Sequence, residues 1–493
     1  MAKVTLISPF SDISSIGVRI LSSAIKKRGH RTQLIFLPNL PDEKYDIPAY
    51  DFKYSDKILG EIVDLSRDSD LVGISFMTNY YDRVLQLSDH LRSKLEKPLI
   101  LGGIHTTICP EDCMEHSDII AIGEMDFSLP LLVDKIESGE DYSNLSGFWV
   151  RKEDGNWQKN DLPIPPQDLD MIDYPDYDLE NHYMLSEGTL KEMTYDMLKG
   201  YFIEGTLSDV MRKPYYIILT SRGCKFNCTY CNNNILRTKY KGTKYSRHRS
   251  TENIIGELEM VKKKLPYVES ILFSDDSLLD KEEDEIEKFS RIYKEKIGLP
   301  FYCLGTPVYI TRKKLECLID AGLIQLQMGV QSGSLRIQRL YRRPISNKKI
   351  IETAKLINSF SDRLLPPVYD VITDNPLEKD DDYIETFRLF LKIPRPFRIQ
   401  LFFMTFFPGA EIYDIAVKEG IIKDDITQVY RQKLGGQRKT FPNFMFKFFN
   451  LDPPRFILKF LTIPFIFKAL NSKMGNLIRN SFIRLGGIVL GKR

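Results

Sequence analysis

The sequence predicts an α/β protein: a doubly wound, Rossmann-like domain over residues 1–140, a partial (β/α) barrel over 214–420, and a helical, basic and aromatic tail over 421–493. Three observations predict it. Short apolar runs alternate with segments of helical spacing over residues 1–140, and the same alternation resumes after residue 214. Between them, DLPIPPQDLDMIDYPDYDL (161–179) concentrates Pro and Asp, so 141–213 reads as a linker. After Gln428 the only acidic residue is Asp452, while basic and aromatic residues recur to the end.

The elements follow in order. Strands are expected at Lys3–Pro9, Thr32–Leu37, Leu71–Phe76, Pro98–Leu101 and Ile119–Ile122, with helices at Ile16–Arg28 and Leu129–Ile136. Alternation at this spacing means a parallel sheet covered by helices on both faces, which binds ligands at the carboxyl ends of its strands. In the second half, strands are expected at Tyr216–Thr220, Ser270–Phe273, Leu326–Val330, Tyr369–Thr373 and Gln400–Phe403. Helices are expected there at Thr251–Lys264, Glu282–Lys296, Thr311–Ala321, Lys348–Phe360 and Asp380–Leu391. A parallel barrel of this kind places its chemistry at the strand C-terminal ends.

Composition narrows the class. A chain of 493 residues calls for two or three domains, and 43% hydrophobic with 28% charged residues is a globular balance. A net charge of +2 gives no reason to expect nucleic acid as a partner. Seven cysteines, an odd number in a long chain, do not read as a disulfide framework. MAKVTLISPF enters a strand without the features of a signal peptide, so a cytoplasmic protein is expected. No apolar stretch approaches the ~18 residues of a membrane span.

The strongest motif is TSRGCKFNCTYCNNN, directly after an expected strand. Cys224, Cys228 and Cys231 therefore share one loop at the mouth of the barrel. Cysteine thiolates are the usual ligands of iron–sulfur clusters. Three of them hold three irons of a 4Fe–4S cluster and leave the fourth open for another ligand. Gly223 permits a tight turn, and Tyr230 offers a ring beside it. The alternative is a closed zinc site, which needs four ligands. No second cysteine pair exists, and His248 is the only fourth candidate nearby.

C-x3-C-x2-C with an aromatic residue before the last cysteine resembles the radical S-adenosylmethionine (SAM) superfamily. Later segments agree in order. FSDDSLLD (273–280) is similar to the segment that meets the SAM amino group, with Asp275 and Asp276 in its polar positions. MGVQSGS (328–334) is similar to the strand that reaches the ribose and methionyl groups, with Gln331 where glutamate is commoner and Ser332 beside it. DVITDNPLE (370–378) and FFPGAEIYDIAVKEGII (406–422) also match segments typical of this branch.

In the first domain, DISSIG (12–17), SFM (75–77) and LGGIHTT (101–107) stand at successive strand ends. They resemble the D-x-H-x-x-G, S-x-L and GG signatures of cobalamin-binding domains. IGEMD (122–126) is typical of such domains attached to radical SAM barrels. The resemblance implies cobalamin contacts from Ser14, Ser75, Gly102, Gly103, Thr106, Thr107, Gly123 and Glu124. Glycines at 102 and 103 let the backbone approach a bulky ligand. Ser14 occupies the place of the histidine that binds cobalt from below, so the lower face is expected to lack a protein histidine. His30 and His105 are the other candidates. A generic sheet with a different ligand, or with none, is the plainer alternative.

Over residues 1–420 the chain is thus similar to cobalamin-dependent radical SAM enzymes, both the anaerobic porphyrin cyclase-like and the class B methyltransferase-like. The resemblance implies three cofactors: the 4Fe–4S cluster, SAM and cobalamin. It implies reductive cleavage of SAM to a 5′-deoxyadenosyl radical, hydrogen removal from an unactivated carbon, and methyl transfer from cobalamin. A reductant such as flavodoxin or ferredoxin is the implied partner. Cyclisation or oxidation without methyl transfer is the second reading, and a non-catalytic cobalamin sensor the third. The intact cysteine triplet weighs against the third.

The tail carries FPNFMFKFFN and RFILKFLTIPFIFKAL, with Lys and Arg interleaved among Phe, Ile and Leu. Its longest apolar run is too short to span a bilayer, but this pattern suits a segment lying in the interface. Each Lys or Arg near an anionic leaflet adds about 1 kcal/mol. The expectation is peripheral contact with the cytoplasmic membrane face and a hydrophobic, lipid-like small-molecule substrate. The competing reading has the aromatics capping the barrel and the charges forming a solvated face.

Overall fold

The computed structural model describes residues 1–10, 12–38, 53–203, 213–275, 278–343, 345–431, 438–472 and 475. Its contacts divide the chain into two compact units: Met1–Lys225, Cys231–Ile271 and Phe406–Leu434 form one, and Phe226–Tyr230, Leu272–Thr405 and Gly435–Arg493 the other.

In the first unit, β1 (Lys3–Ser8), β2 (Arg31–Phe36), β3 (Leu71–Ser75), β4 (Leu99–Gly102) and β5 (Ile119–Ala121) are mutually parallel. Strands buried on both faces read as continuous apolar runs, and Ile7, Ile35, Ile74, Leu101 and Ile120 meet in one core. The helix Ile16–Lys27 buries Val18, Ala24 and Ile25, the face its spacing predicts. Residues 141–213, expected to be a linker, carry β6 (Phe148–Arg151), β7 (Trp157–Lys159), β8 (His182–Ser186) and β9 (Thr189–Glu192). These extend both edges, giving nine strands in the order β7-β6-β5-β4-β3-β1-β2-β8-β9. The order reverses at β1, flanked by β3 and β2, and a crevice for a ligand opens at such a point. The same unit holds β10 (Tyr215–Ile218) and the short antiparallel pair β11 (Ser221–Arg222) and β12 (Arg247–His248).

After β13 (Ser270–Phe273), the second unit pairs β14 (Phe301–Gly305), β15 (Leu323–Gln331), β16 (Val368–Thr373) and β17 (Arg398–Phe403) in sequence, all parallel. Helices Glu283–Lys296, Arg312–Ala321, Asn347–Asn358 and Asp380–Phe390 alternate with them, as the sequence predicts. Thr311 and Ser346 cap two of these helices by accepting from the backbone N–H three residues on. Strand β14 is absent from the sequence expectation. Its five residues FYCLG carry no alternation, and such short runs are ambiguous by period alone.

The tail divides between the units. Tyr430 Oη donates to Asp112 Oδ2 over 2.5 Å and Arg431 Nε to Asp82 Oδ2 over 2.8 Å, all in the first unit. In the second, the helix Phe441–Phe449 buries Phe441, Met445, Phe446 and Phe449, and the Phe446 ring lies 4.5 Å from that of Phe387. Asn450 closes the outer edge of β17. Its Oδ1 accepts from the Ile399 N–H at 2.7 Å, and its Nδ2 donates to the Ile399 carbonyl at 2.8 Å. Much of the tail's aromatic content is therefore core. Among the described residues, no helix is long and apolar enough to cross a membrane.

Candidate cobalamin, cluster and SAM sites

The expected cobalamin residues lie at the carboxyl ends of β1, β3, β4 and β5, or in the loops that leave them. After β1, Ser14 turns back on Asp12, its N–H and Oγ each donating to that carboxylate at 2.8 Å. Arg19, fully buried between Phe36 and Tyr177, fastens the loop by donating to the carbonyls of Ser14 and Ile13 at 3.0 and 3.2 Å. Ser75 ends β3 and Gly102 ends β4. Gly103 has φ +107°, and a Cβ there would stand 2.4 Å from the Phe76 carbonyl oxygen, so no other residue fits.

The two threonines act locally. Thr106 Oγ1 donates to the Ala121 carbonyl at 2.7 Å, and Thr107 Oγ1 donates to that of Gly103 at 2.8 Å while accepting from the Gly123 N–H at 3.0 Å. They hold the glycine turn rather than presenting free hydroxyls. A Cβ on Gly123 would meet Tyr240 Oη at 2.4 Å. Glu124 is held by two guanidiniums, those of Arg222 at 2.7 Å and Arg247 at 2.5 Å, and Arg222 also grips Asp126 at 2.6 Å. Its carboxylate is thus committed inside this unit. Gly103 thus lets the loops after β3 and β4 pack backbone to backbone at the end of the sheet, beside the crevice where a ligand would lie.

The two candidate histidines sit in different settings. His30 precedes β2, at the far end of the strands, and its Nε2 meets Asp134 at 2.7 Å. His105 is fully buried against Phe76, Tyr81 and Tyr430, and burial lowers its pKa to about 4.

The cysteine loop follows β11. Gly223 has φ +78°, and a Cβ would lie 2.4 Å from the Tyr245 carbonyl oxygen. Arg237 donates to the Cys224 carbonyl. Cys231 is the N-cap of the helix Asn232–Lys239, whose positive end favours a thiolate, and Asn233 Nδ2 donates to its sulfur at 3.7 Å. Cys228, 6% exposed, receives Arg343 Nη1 at 3.9 Å. Donors aimed at two of the three sulfurs suit anionic cluster ligands. Among the described residues, no three His, Cys, Asp or Glu side chains lie close enough to share one metal ion. A cubane does not need that closeness, because it binds its thiolates at separate corners.

The SAM candidates lie on several strand ends. Tyr230 packs edge-on against Tyr341, with centroids 4.9 Å apart. Asp275 is buried just after β13, and Asp276 falls outside the described residues. Ser332 is buried and accepts from the Ser334 N–H at 3.2 Å. Gln331 closes β15 with φ 67°, and its Oε1 is buried without a hydrogen-bond partner. A left-handed glutamine with an orphaned acceptor is costly unless a ligand donates to it. That fits the amino or ribose donors of SAM.

Sequence reasoning missed Arg222, Arg247, Arg343 and Asp370. Asp370 sits inside β16, where Gln327 Nε2 donates to it at 2.7 Å and Tyr302 in turn donates to Gln327. Burial pushes the Asp370 carboxyl up to about 7, against the opposing pull of Gln327 and Arg343. The segment DVITDNPLE marked the place but not the network.

Residues 218–390 match the radical SAM superfamily, and residues 2–132 match the B12-binding domain. An uncharacterised methyltransferase from Pyrococcus horikoshii is 24% identical over 81% of this chain and 82% of its own. A cytidylyl-2-hydroxyethylphosphonate methyltransferase from Streptomyces wedmorensis is 24% identical over 59% of this chain and 55% of its own. The fold is shared with the radical SAM methyltransferase TsrM from Kitasatospora setae, at TM-score 0.64 and 14% identity over 85% of this chain and 76% of that one. It is also shared with the cobalamin-dependent radical SAM enzyme OxsB, at TM-score 0.55 and 14% identity over 85% of this chain and 56% of that one. With both domains matched in one chain, this protein belongs to the radical SAM enzymes that carry a cobalamin-binding domain, whose cofactors are a 4Fe–4S cluster, SAM and cobalamin.

Proposed function

We propose that this enzyme transfers a methyl group to an unactivated carbon of a hydrophobic, lipid-like small molecule. The observation that carries the reading is the presence, in one chain, of a doubly wound sheet with its crevice at β1 and a three-cysteine loop with donors set against the sulfurs of Cys228 and Cys231. The methyltransferase relatives support it. When bound, the reduced cluster supplies the electron that cleaves SAM to methionine and a 5′-deoxyadenosyl radical, and cobalamin supplies the methyl group.

The chain's own residues bind and orient. Cys224, Cys228 and Cys231 would hold the cluster. Gln331 Oε1 would accept from SAM, and the Tyr230 ring would pack beside it. Gly102, Gly103 and the Ser14 loop would face the cobalamin. Asp370 sits in the buried strand layer, where Gln327 Nε2 donates to it, Tyr302 fixes Gln327, and burial raises the carboxyl to about 7. A reductant such as flavodoxin or ferredoxin would deliver the electron.

The test is anaerobic incubation of reconstituted protein with SAM, reductant and cobalamin. Formation of both deoxyadenosine and S-adenosylhomocysteine supports methyl transfer. Deoxyadenosine alone favours cyclisation or oxidation, and neither product would sink the enzymatic reading.

A further inference from the structure

Of the ten described aromatics after residue 420, five are buried, two are half-buried and three are exposed. In the helix Arg455–Leu461, Leu458 is fully buried, while Phe456 and Phe460, four residues apart and so on one face, are 72% and 56% exposed. In the next helix, Pro464–Asn471, Phe467 is fully buried and Phe465 is 74% exposed. Leu451, ahead of both, is 77% exposed. No other phenylalanine among the described residues exceeds half exposure, and these three fall within ten residues of one another.

Basic side chains flank the exposed rings, while Asp380 of the adjoining helix accepts from Asn471 at 2.7 Å. Arg455 and Lys459 are exposed beside the rings, Arg455 also donating to the Ile393 carbonyl at 3.2 Å, and the nearest acid in the sequence, Asp452, is paired with Arg395. Lys468 pairs with Asp381 across the adjoining helix, which removes one charge of each sign. The remaining 21 residues, 473–493, add five basic residues and no acidic one.

We infer that this face docks on the surface of an anionic lipid bilayer. Two helices of seven and eight residues cannot cross it, but they can lie flush with it. Their exposed rings would enter the interface while Arg455 and Lys459 meet lipid phosphates. Rings standing between the charges distinguish the face from a nucleic-acid surface, where basic side chains form a polar stripe. The inference deepens the lipid-like-substrate reading but does not need methyl transfer, because binding is read without turnover.

The test uses the full chain and the variant Phe456→Ser/Phe460→Ser/Phe465→Ser, whose altered side chains are exposed and leave the core intact. Each is sedimented with vesicles of phosphatidylcholine alone or mixed with phosphatidylglycerol, at low and high salt. The expected result is pelleting of the natural chain with the anionic vesicles, weakened by salt, and a loss of about tenfold or more in the variant. Lys459→Glu should weaken binding to the anionic vesicles only. Natural protein that stays in the supernatant overturns the inference, as does a triple variant that pellets equally well. Light scattering without lipid adds a further check. A natural dimer that the triple variant converts to monomer would assign the face to a second copy instead and would also overturn it. Deoxyadenosine formation by the triple variant should match that of the natural chain; its loss in both would count against the proposed reaction and leave the docking result standing.

Discussion

Arg343 places a guanidinium nitrogen 3.9 Å from the sulfur of Cys228, a residue 115 positions earlier in the chain. A second nitrogen of the same group donates to the Gly329 carbonyl at 3.0 Å, so the cation is pinned rather than swinging. A fixed positive charge and donor beside a cluster thiolate favour the more negative, reduced state. Replacing Arg343 by Met should therefore move the cluster midpoint to more negative potential, on the order of tens of millivolts, with iron content retained. Lys should restore part of the shift. Potentiometry followed by electron paramagnetic resonance reads it, and an unmoved midpoint in the Met variant refutes it.

Single changes of Cys224, Cys228 or Cys231 to Ala should each abolish iron loading and SAM cleavage, because three ligands leave no spare. Cys113 and Cys303 are buried with their thiols pushed above the ordinary range, and burial raises Cys109 to about 11. Such thiols behave as small apolar side chains, so changing any of these three, or Cys317, to Ala should leave the iron count unchanged. A normal iron count in Cys228→Ala would contradict the assignment.

Gly103→Ala should fold poorly or lose cobalamin, since the new Cβ meets the Phe76 backbone and the left-handed φ is strained besides. The expected cost is about 1–3 kcal/mol from strain alone, read as a lowered melting temperature together with reduced cobalamin retention. In the natural protein, the cob(II)alamin spectrum should lack nitrogen superhyperfine splitting once the cofactor's own base is removed. Splitting that persisted would point to a protein histidine after all.

Glu124→Ala should destabilise the first unit by roughly 3 kcal/mol, because it strips the carboxylate from Arg247, which is 1% exposed. Glu124→Gln should recover part of the loss through hydrogen bonding. Equal melting temperatures for all three proteins would show that the clamp contributes nothing.

Glu378 gives a pH signature. Burial raises its carboxyl to about 8, well above the ordinary value, partly opposed by a hydrogen bond from Tyr383. The folded chain therefore holds this proton more tightly than the unfolded chain. Its contribution to stability is complete below the ordinary carboxylate range and is lost as pH rises toward 8. Glu378→Gln should gain roughly 1–3 kcal/mol over the natural protein between about pH 5 and pH 9. Parallel stability curves for the two proteins would refute this.

The fold and the candidate site were legible to different depths. The cysteine triplet, Gly103 and Gly223 could be read directly, because spacing and backbone geometry confine those places to one residue type. The flanking strands were visible as apolar runs bounded by turn residues. Strands β6 to β9 were hidden, since three to five residues amid Pro, Asp and Gly show no period. The arginines were hidden for another reason: Arg247 meets Glu124 across 123 residues, and nothing local marks a guanidinium as a partner. Thr106 and Thr107 were read as ligand donors because their position at a strand end was visible and their backbone partners were not.

Asn450 has a further consequence, for solubility. An outermost strand offers unpaired backbone groups that recruit a strand from another molecule. On β17 the Asn450 carboxamide occupies both hydrogen-bonding groups of Ile399, standing in for a missing neighbour with a single side chain. The C-terminal helices that carry and surround it thus act as a selvedge on the sheet. Cutting the chain before residue 441 would remove more than a peripheral appendage: it would bare an adhesive border and the Phe387 face together, and the shortened protein would self-associate whatever its affinity for lipid.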